Sequence, residues 1–99
     1  MIVNFKSNTL KELWTASDET LQLPADVYDI IEILGLLDAS EDITDLVLLG
    51  GFNIEEYQPS HWAVTVTVNN IKPIGSVTCY YRQGKAYDVD LNDAIRSRL

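Results

Sequence analysis

His61 is the only histidine in the chain, and it could serve as a general base. An imidazole exchanges protons near neutral pH, but a base of this kind needs a second group to fix its orientation. Glu55 and Glu56, on the preceding predicted strand, are the carboxylates within reach. The plainer reading of a lone histidine beside Trp62 is a surface residue at the start of a strand. Asp88, Asp90 and Asp93 gather carboxylates near the end of the sequence. Two acids on one strand face could hold a divalent cation, or one could act as a base; a solvated acidic face is the plainer reading. Cys79 is the single cysteine and alternates with core positions, so it reads as a small buried apolar residue. One cysteine permits no internal disulfide, and one histidine with one cysteine excludes an ordinary zinc site. Tyr80 falls on a polar strand face, where it could stack on a base, join a protein interface or pack across strands.

The elements that must position these groups follow from periodicity. Ile2–Phe5 reads as a short strand. Ser7 is placed to cap a helix carrying Leu10, Leu13 and Trp14 at helical spacing. Pro24 suits the first turn of a second helix, where its missing N–H costs nothing. Val27, Ile30, Ile31, Leu34 and Leu37 then form an apolar stripe, with Asp26, Asp29 and Glu32 opposite. Gly35 weakens that helix and would allow close packing against a neighbour. Ser40 is placed to cap a short helical turn ending near Leu46. Val47-Leu48-Leu49 is either core beneath a loop or an exposed patch for a partner.

After Gly50-Gly51 the period changes from 3.6 to 2. Phe52–Tyr57 reads as a strand closed by Pro59. Trp62–Val68 alternates, with Trp62, Val64, Val66 and Val68 inward. Asn69-Asn70 opens a loop reaching Pro73. Ser76–Tyr81 follows with Val77, Cys79 and Tyr81 inward. Gln83-Gly84 makes a hairpin turn, and Tyr87–Leu91 returns with Tyr87, Val89 and Leu91 inward. Asn92 or Asp93 would cap a short terminal helix. The expected fold class is α+β: one domain over residues 1–99, helices on one sheet face. The open face would comprise Thr65, Thr67, Ser76, Thr78, Tyr80, Asp88 and Asp90.

Fifteen acids oppose seven bases, a net charge of −8. The imbalance sits in residues 1–60, whose only bases are Lys6 and Lys11. Such a surface repels phosphate, which makes DNA an unfavourable partner. It suits solubility, or docking of a basic protein. The hydrophobic fraction of 46% marks a globular chain, and no apolar run approaches a membrane span. With no signal-peptide pattern at Met1–Lys6, a cytoplasmic location is expected. Nothing in the sequence calls for a cofactor.

The ordered features resemble the RelE/ParE superfamily of bacterial toxins, in its HigB-like plasmid-maintenance killer subgroup. The likeness runs through Met1-Ile2, Phe5-Lys6, Leu10 and Leu13, Pro24, Leu37-Asp38-Ala39, Asp45-Leu46 and Gly50. It continues through Trp62, the Val-rich strand, Asn69 and Gly84–Val89. It implies a β-α-α-β-β-β-β order and a ribosome-dependent mRNA endoribonuclease, paired with an antitoxin. That chemistry needs a base at the ribose 2′-OH, cations for the phosphorane and an acid for the leaving oxygen. At the positions where the resemblance implies His, Lys and Arg, this chain has Glu55, Gln58 and Ser76. Of the terminal Asp-Tyr-His only Asp93 matches.

Asp93 and His61 are therefore the candidate catalytic residues. The expected function is a toxin-like component of a toxin–antitoxin system with cleavage lost or altered. The alternative is a non-enzymatic acidic protein–protein interaction module on the same fold, docking through its acidic helical half. Expected partners are an antitoxin-like or other basic protein, with ribosome and mRNA implied by resemblance alone. A weaker alternative is an acidic mimic of nucleic acid.

Overall fold

A computed structural model describes residues 1–16, 25–68 and 72–91. Among these residues, three helices precede a four-stranded antiparallel meander, an α+β architecture. The helices are α1 (Asn8–Ala16), α2 (Ala25–Ala39) and α3 (Asp45–Leu48). The strands are β1 (Ile54–Gln58), β2 (His61–Val68), β3 (Lys72–Arg82) and β4 (Lys85–Leu91), in spatial order β1-β2-β3-β4. No helix among the described residues is long and apolar enough to cross a membrane.

Ser7 caps α1 as expected, its Oγ accepting the Leu10 N–H at 3.2 Å. In α2, Ile30, Ile33, Leu34 and Leu37 are buried. Ile33 thus replaces Ile31 in the predicted stripe, and Ile31 is only half-buried. Pro24 lies outside the described residues. Leu10, Ile43 and Leu46 add to the helical layer, which packs on Val64, Val66, Val77, Cys79, Tyr81, Ala86, Val89 and Leu91 of the sheet. Burying a Leu, Ile or Val side chain stabilises by roughly 1.5–3 kcal/mol, and this two-layer contact is the chain's core.

Ser40 does not cap α3. It is buried at the end of α2, and its Oγ lies 2.9 Å from the Tyr81 hydroxyl. The Tyr81 hydroxyl in turn donates to the Ser40 carbonyl at 3.1 Å. This pair fastens the end of α2 to β3. The turn before α3 is organised by Asp42, whose Oδ1 accepts the Thr44 N–H and hydroxyl, both at 3.0 Å. Those bonds hold the Asp42 carboxyl below the usual carboxylate range.

The expected first strand is reduced to two isolated parallel bridges, Ile2 to Ala86 and Phe5 to Val89 on β4. A regular ladder fails between them because β4 bulges at Asp88, whose φ is +52°. β3 begins at Lys72, earlier than Ser76, because a register shift between Val66 and Thr67 absorbs an extra residue near Gly75. Pro73 is tolerated beside that irregularity. Asn69, Asn70 and the region of Asn92 and Asp93 lie outside the described residues. The β3–β4 turn is as predicted: Gln83 and Gly84 both have positive φ, 53° and 75°.

Two glycines in the helical layer play opposite roles. A methyl at Gly50 would sit 2.5 Å from Leu36 Cδ1 and 2.7 Å from the Phe52 ring, so a side chain there would force those two residues to shift. A methyl at Gly35 would meet nothing within 4 Å. The close packing expected at Gly35 is absent, and only the helix cost remains. Gly35→Ala should therefore stabilise by about 1 kcal/mol in urea unfolding, whereas Gly50→Ala should destabilise.

Burial pushes the Cys79 thiol up to about 12 and raises the Tyr81 phenol as well. Both groups lose their protons more readily in the unfolded chain. Their contribution to stability is present below about pH 9 and is lost as pH rises toward 12. The Cys79 part should amount to about 1.4 kcal/mol per pH unit within that window. Urea midpoints of Cys79→Ala measured from pH 8 to 11 should fall less steeply than those of the parent.

Candidate functional site

The open sheet face is built from parallel rows running across the strands. Pairing places Glu55 opposite Ala63, Ala63 opposite Thr78, and Thr78 opposite Asp90. One step along, His61 pairs with Tyr80 and Tyr80 with Tyr87. Tyr57 extends that second row from the irregular end of β1. The result is a line of four rings, one from each strand. Tyr57 and His61 have centroids 6.0 Å apart, His61 and Tyr80 5.0 Å, and Tyr80 and Tyr87 5.9 Å. Interplanar angles of 53° and 58° make the outer two contacts tilted, and 64° makes the His61–Tyr80 contact edge-to-face, the geometry that aromatic quadrupoles favour.

The row depends on the bulge in β4. Unbroken alternation would send Tyr87 inward, as the sequence reading has it. The extra residue between the Tyr80–Tyr87 and Thr78–Asp90 pairs flips the strand, so Ala86 is buried and Tyr87 reaches the open face. Asp88 occupies the left-handed conformation, which Asp and Asn tolerate better than most side chains. Asn4 stabilises it from both sides. Its Nδ2 donates to Asp88 Oδ1 at 2.8 Å, and its Oδ1 accepts the Asp88 N–H at 3.1 Å.

Beside the rings lies a groove of about 360 Å³ lined by Lys6, Tyr57, His61, Thr78, Cys79, Tyr80, Asp88 and Asp90. Lys6 reaches it because its N–H is tied to the Val89 carbonyl at 2.9 Å. Among the described residues of this lining it is the only lysine or arginine.

His61 does have an orienting partner, but not the expected one. Its Nδ1 lies 2.9 Å from the Pro59 carbonyl. A carbonyl only accepts, so Nδ1 carries the proton and Nε2 is the basic nitrogen. Glu56 is engaged elsewhere, accepting the Ser60 N–H at 3.1 Å and closing the β1–β2 turn. Ser60 has φ +63° in that turn.

Of the positions compared with the toxins, Glu55 and Gln58 are exposed on β1, and Ser76 is half-buried opposite Thr65. None of the three lines the groove. Asp93 lies outside the described residues. Asp88 and Asp90 do face the groove, but no group of three or more His, Cys, Asp or Glu is gathered for a metal among the described residues. The run at residues 47–49 is exposed: Leu48 retains 77% and Leu49 74% of its accessible surface.

Sequence reasoning missed Tyr57, Tyr87, Asn4 and Lys6 as members of the site. An Asp between two alternating strand positions was the available signal for a bulge. Asn4→Ala should remove both bonds to Asp88 and cost about 1–2 kcal/mol in chemical unfolding. It should also change the environment of Tyr87, readable in near-ultraviolet circular dichroism. No protein-family model matches the chain, and no curated protein shows significant similarity to it.

Proposed function

We propose that the protein is a non-enzymatic interaction module whose open sheet face receives a basic partner. The observation that carries this reading is the make-up of that face. Four rings cross it, Asp88 and Asp90 face its groove, Glu55 stands in the adjacent row, and Lys6 is the one lysine or arginine among the described residues of the lining. A phosphorane needs converging cations, and among the described residues one lysine facing two carboxylates does not supply them. The net charge of −8 further disfavours an RNA backbone and favours encounter with a positive surface.

A toxin-like activity is the second reading, favoured by a single arrangement. His61 presents a basic Nε2 with its Nδ1 held by Pro59, and Lys6 and Tyr80 line the same groove. In principle these supply a base, a cation and a proton donor for attack by a 2′-OH.

Induced expression separates the two. The module reading expects normal growth and intact mRNA. It also expects partner binding that weakens between 50 and 500 mM salt, by roughly tenfold or more, and that is lost on combining Glu55→Gln with Asp90→Asn. Codon-positioned mRNA cleavage that disappears in His61→Gln would overturn it in favour of the toxin.

A further inference from the structure

The ring row and its flanking carboxylates define a more specific ligand. We propose that the open face binds an extended peptide segment carrying arginines at alternate positions, laid across the strands along Tyr57, His61, Tyr80 and Tyr87. This inference rests on the interaction-module reading and narrows it to one chemistry.

Spacing is the first argument. Alternate side chains of an extended peptide lie about 6.6 Å apart on one side. The rings follow one another at 6.0, 5.0 and 5.9 Å. Successive side chains on one face of such a peptide can therefore meet neighbouring rings.

Ring geometry is the second. His61 and Tyr80 meet edge to face and the other two pairs are tilted, so no pair is a parallel stack that covers a face of both rings. A guanidinium is planar and weakly hydrated, and it lies on aromatic faces more readily than an ammonium does.

Charge is the third. Asp88 Oδ1 is engaged by the neutral Asn4 amide, a partner that brings no positive charge to the carboxylate. Asp90 adds a second negative charge to the lining. A guanidinium over Tyr80 or Tyr87 thus has both a π face and an anion beside it. A nucleobase would find the same faces, but its phosphates would meet the carboxylates and a chain of net charge −8. A neutral sugar would gain nothing from the carboxylate charge.

The test titrates the full chain with three peptides of alternating residues, Arg-Thr, Lys-Thr and citrulline-Thr, and with an oligouridine. Binding is read by fluorescence anisotropy. The His61 ring protons give a second readout, unambiguous because the chain has one histidine. The Arg-Thr peptide should bind several-fold more tightly than Lys-Thr and should shift the His61 signals. Tyr80→Leu should weaken it about tenfold, Tyr80→Phe should leave it near the parent value, and Asp88→Asn should weaken it and flatten its salt dependence. Circular dichroism establishes that each variant is folded, and should Tyr80→Leu not fold, Tyr87→Leu takes its place.

Equal binding of the Arg and Lys peptides, indifferent to Tyr80 and silent at His61, would overturn the ring site while leaving a diffuse acidic docking surface standing. Equal binding of the citrulline peptide would remove the role of charge. Failure of every basic peptide would overturn the inference, and the salt-sensitive partner assay would then decide the broader reading separately. Tighter binding of oligouridine would overturn both.

Discussion

The reciprocal pair between Asn4 and Asp88 is the contact on which the rest of the open face depends. It satisfies the Asp88 N–H and carboxylate at a point where β4 has one residue too many. Without that residue, Ala86 would face solvent and Tyr87 would be forced into a core filled by valines and leucines. With it, the small Ala86 fits beneath the helical layer and the large ring goes outside. The same pair anchors residues 2–6 along β4 and thereby carries Lys6 to the groove. One local irregularity sets the strand's parity, the closure of one sheet edge and the composition of the site.

The helical layer acts on the face indirectly. Leu34, Leu37 and Leu46 share one buried cluster with Val64, Val77 and Val89, whose neighbours along each strand point the other way. Because β2 and β3 keep strict alternation through His61–Val66 and Ser76–Arg82, burying one set presents the other in register. The Ser40–Tyr81 bond adds a polar fixing point at the end of β3 next to Tyr80. The rings are thus held by a rigid scaffold and not by a loop, which lowers the ordering cost of binding.

Much of this arrangement was legible in the sequence. The change of period at Gly50-Gly51, the Ser7 cap, the inward set Val64, Val66, Val77, Cys79 and Tyr81, and the Gln83-Gly84 turn all follow from local rules. What escaped depends on contacts distant in sequence. The bulge is stabilised by Asn4, 84 residues away. Ser40 looked like a cap because its bond to Tyr81 spans 41 residues. The N-terminal strand was overestimated for the same reason, since its β-propensity says nothing about the irregular edge it must pair with. The aromatic row was invisible because it needs four strands in one register, and its histidine took its orientation from a backbone carbonyl that no side-chain pattern reveals.

β1 has a consequence of a different kind. Among the described residues no other strand borders its far edge, whereas the β4 edge is lined by residues 2–6. Such an edge is a template on which identical chains can stack. Glu55 and Glu56 stand in the middle of this strand, both exposed. Two copies approaching edge to edge in antiparallel fashion would bring glutamate against glutamate, a repulsive cross-strand pairing. The strand that completes the ring row with Tyr57 thus also carries charges that oppose edge-to-edge pairing of identical chains.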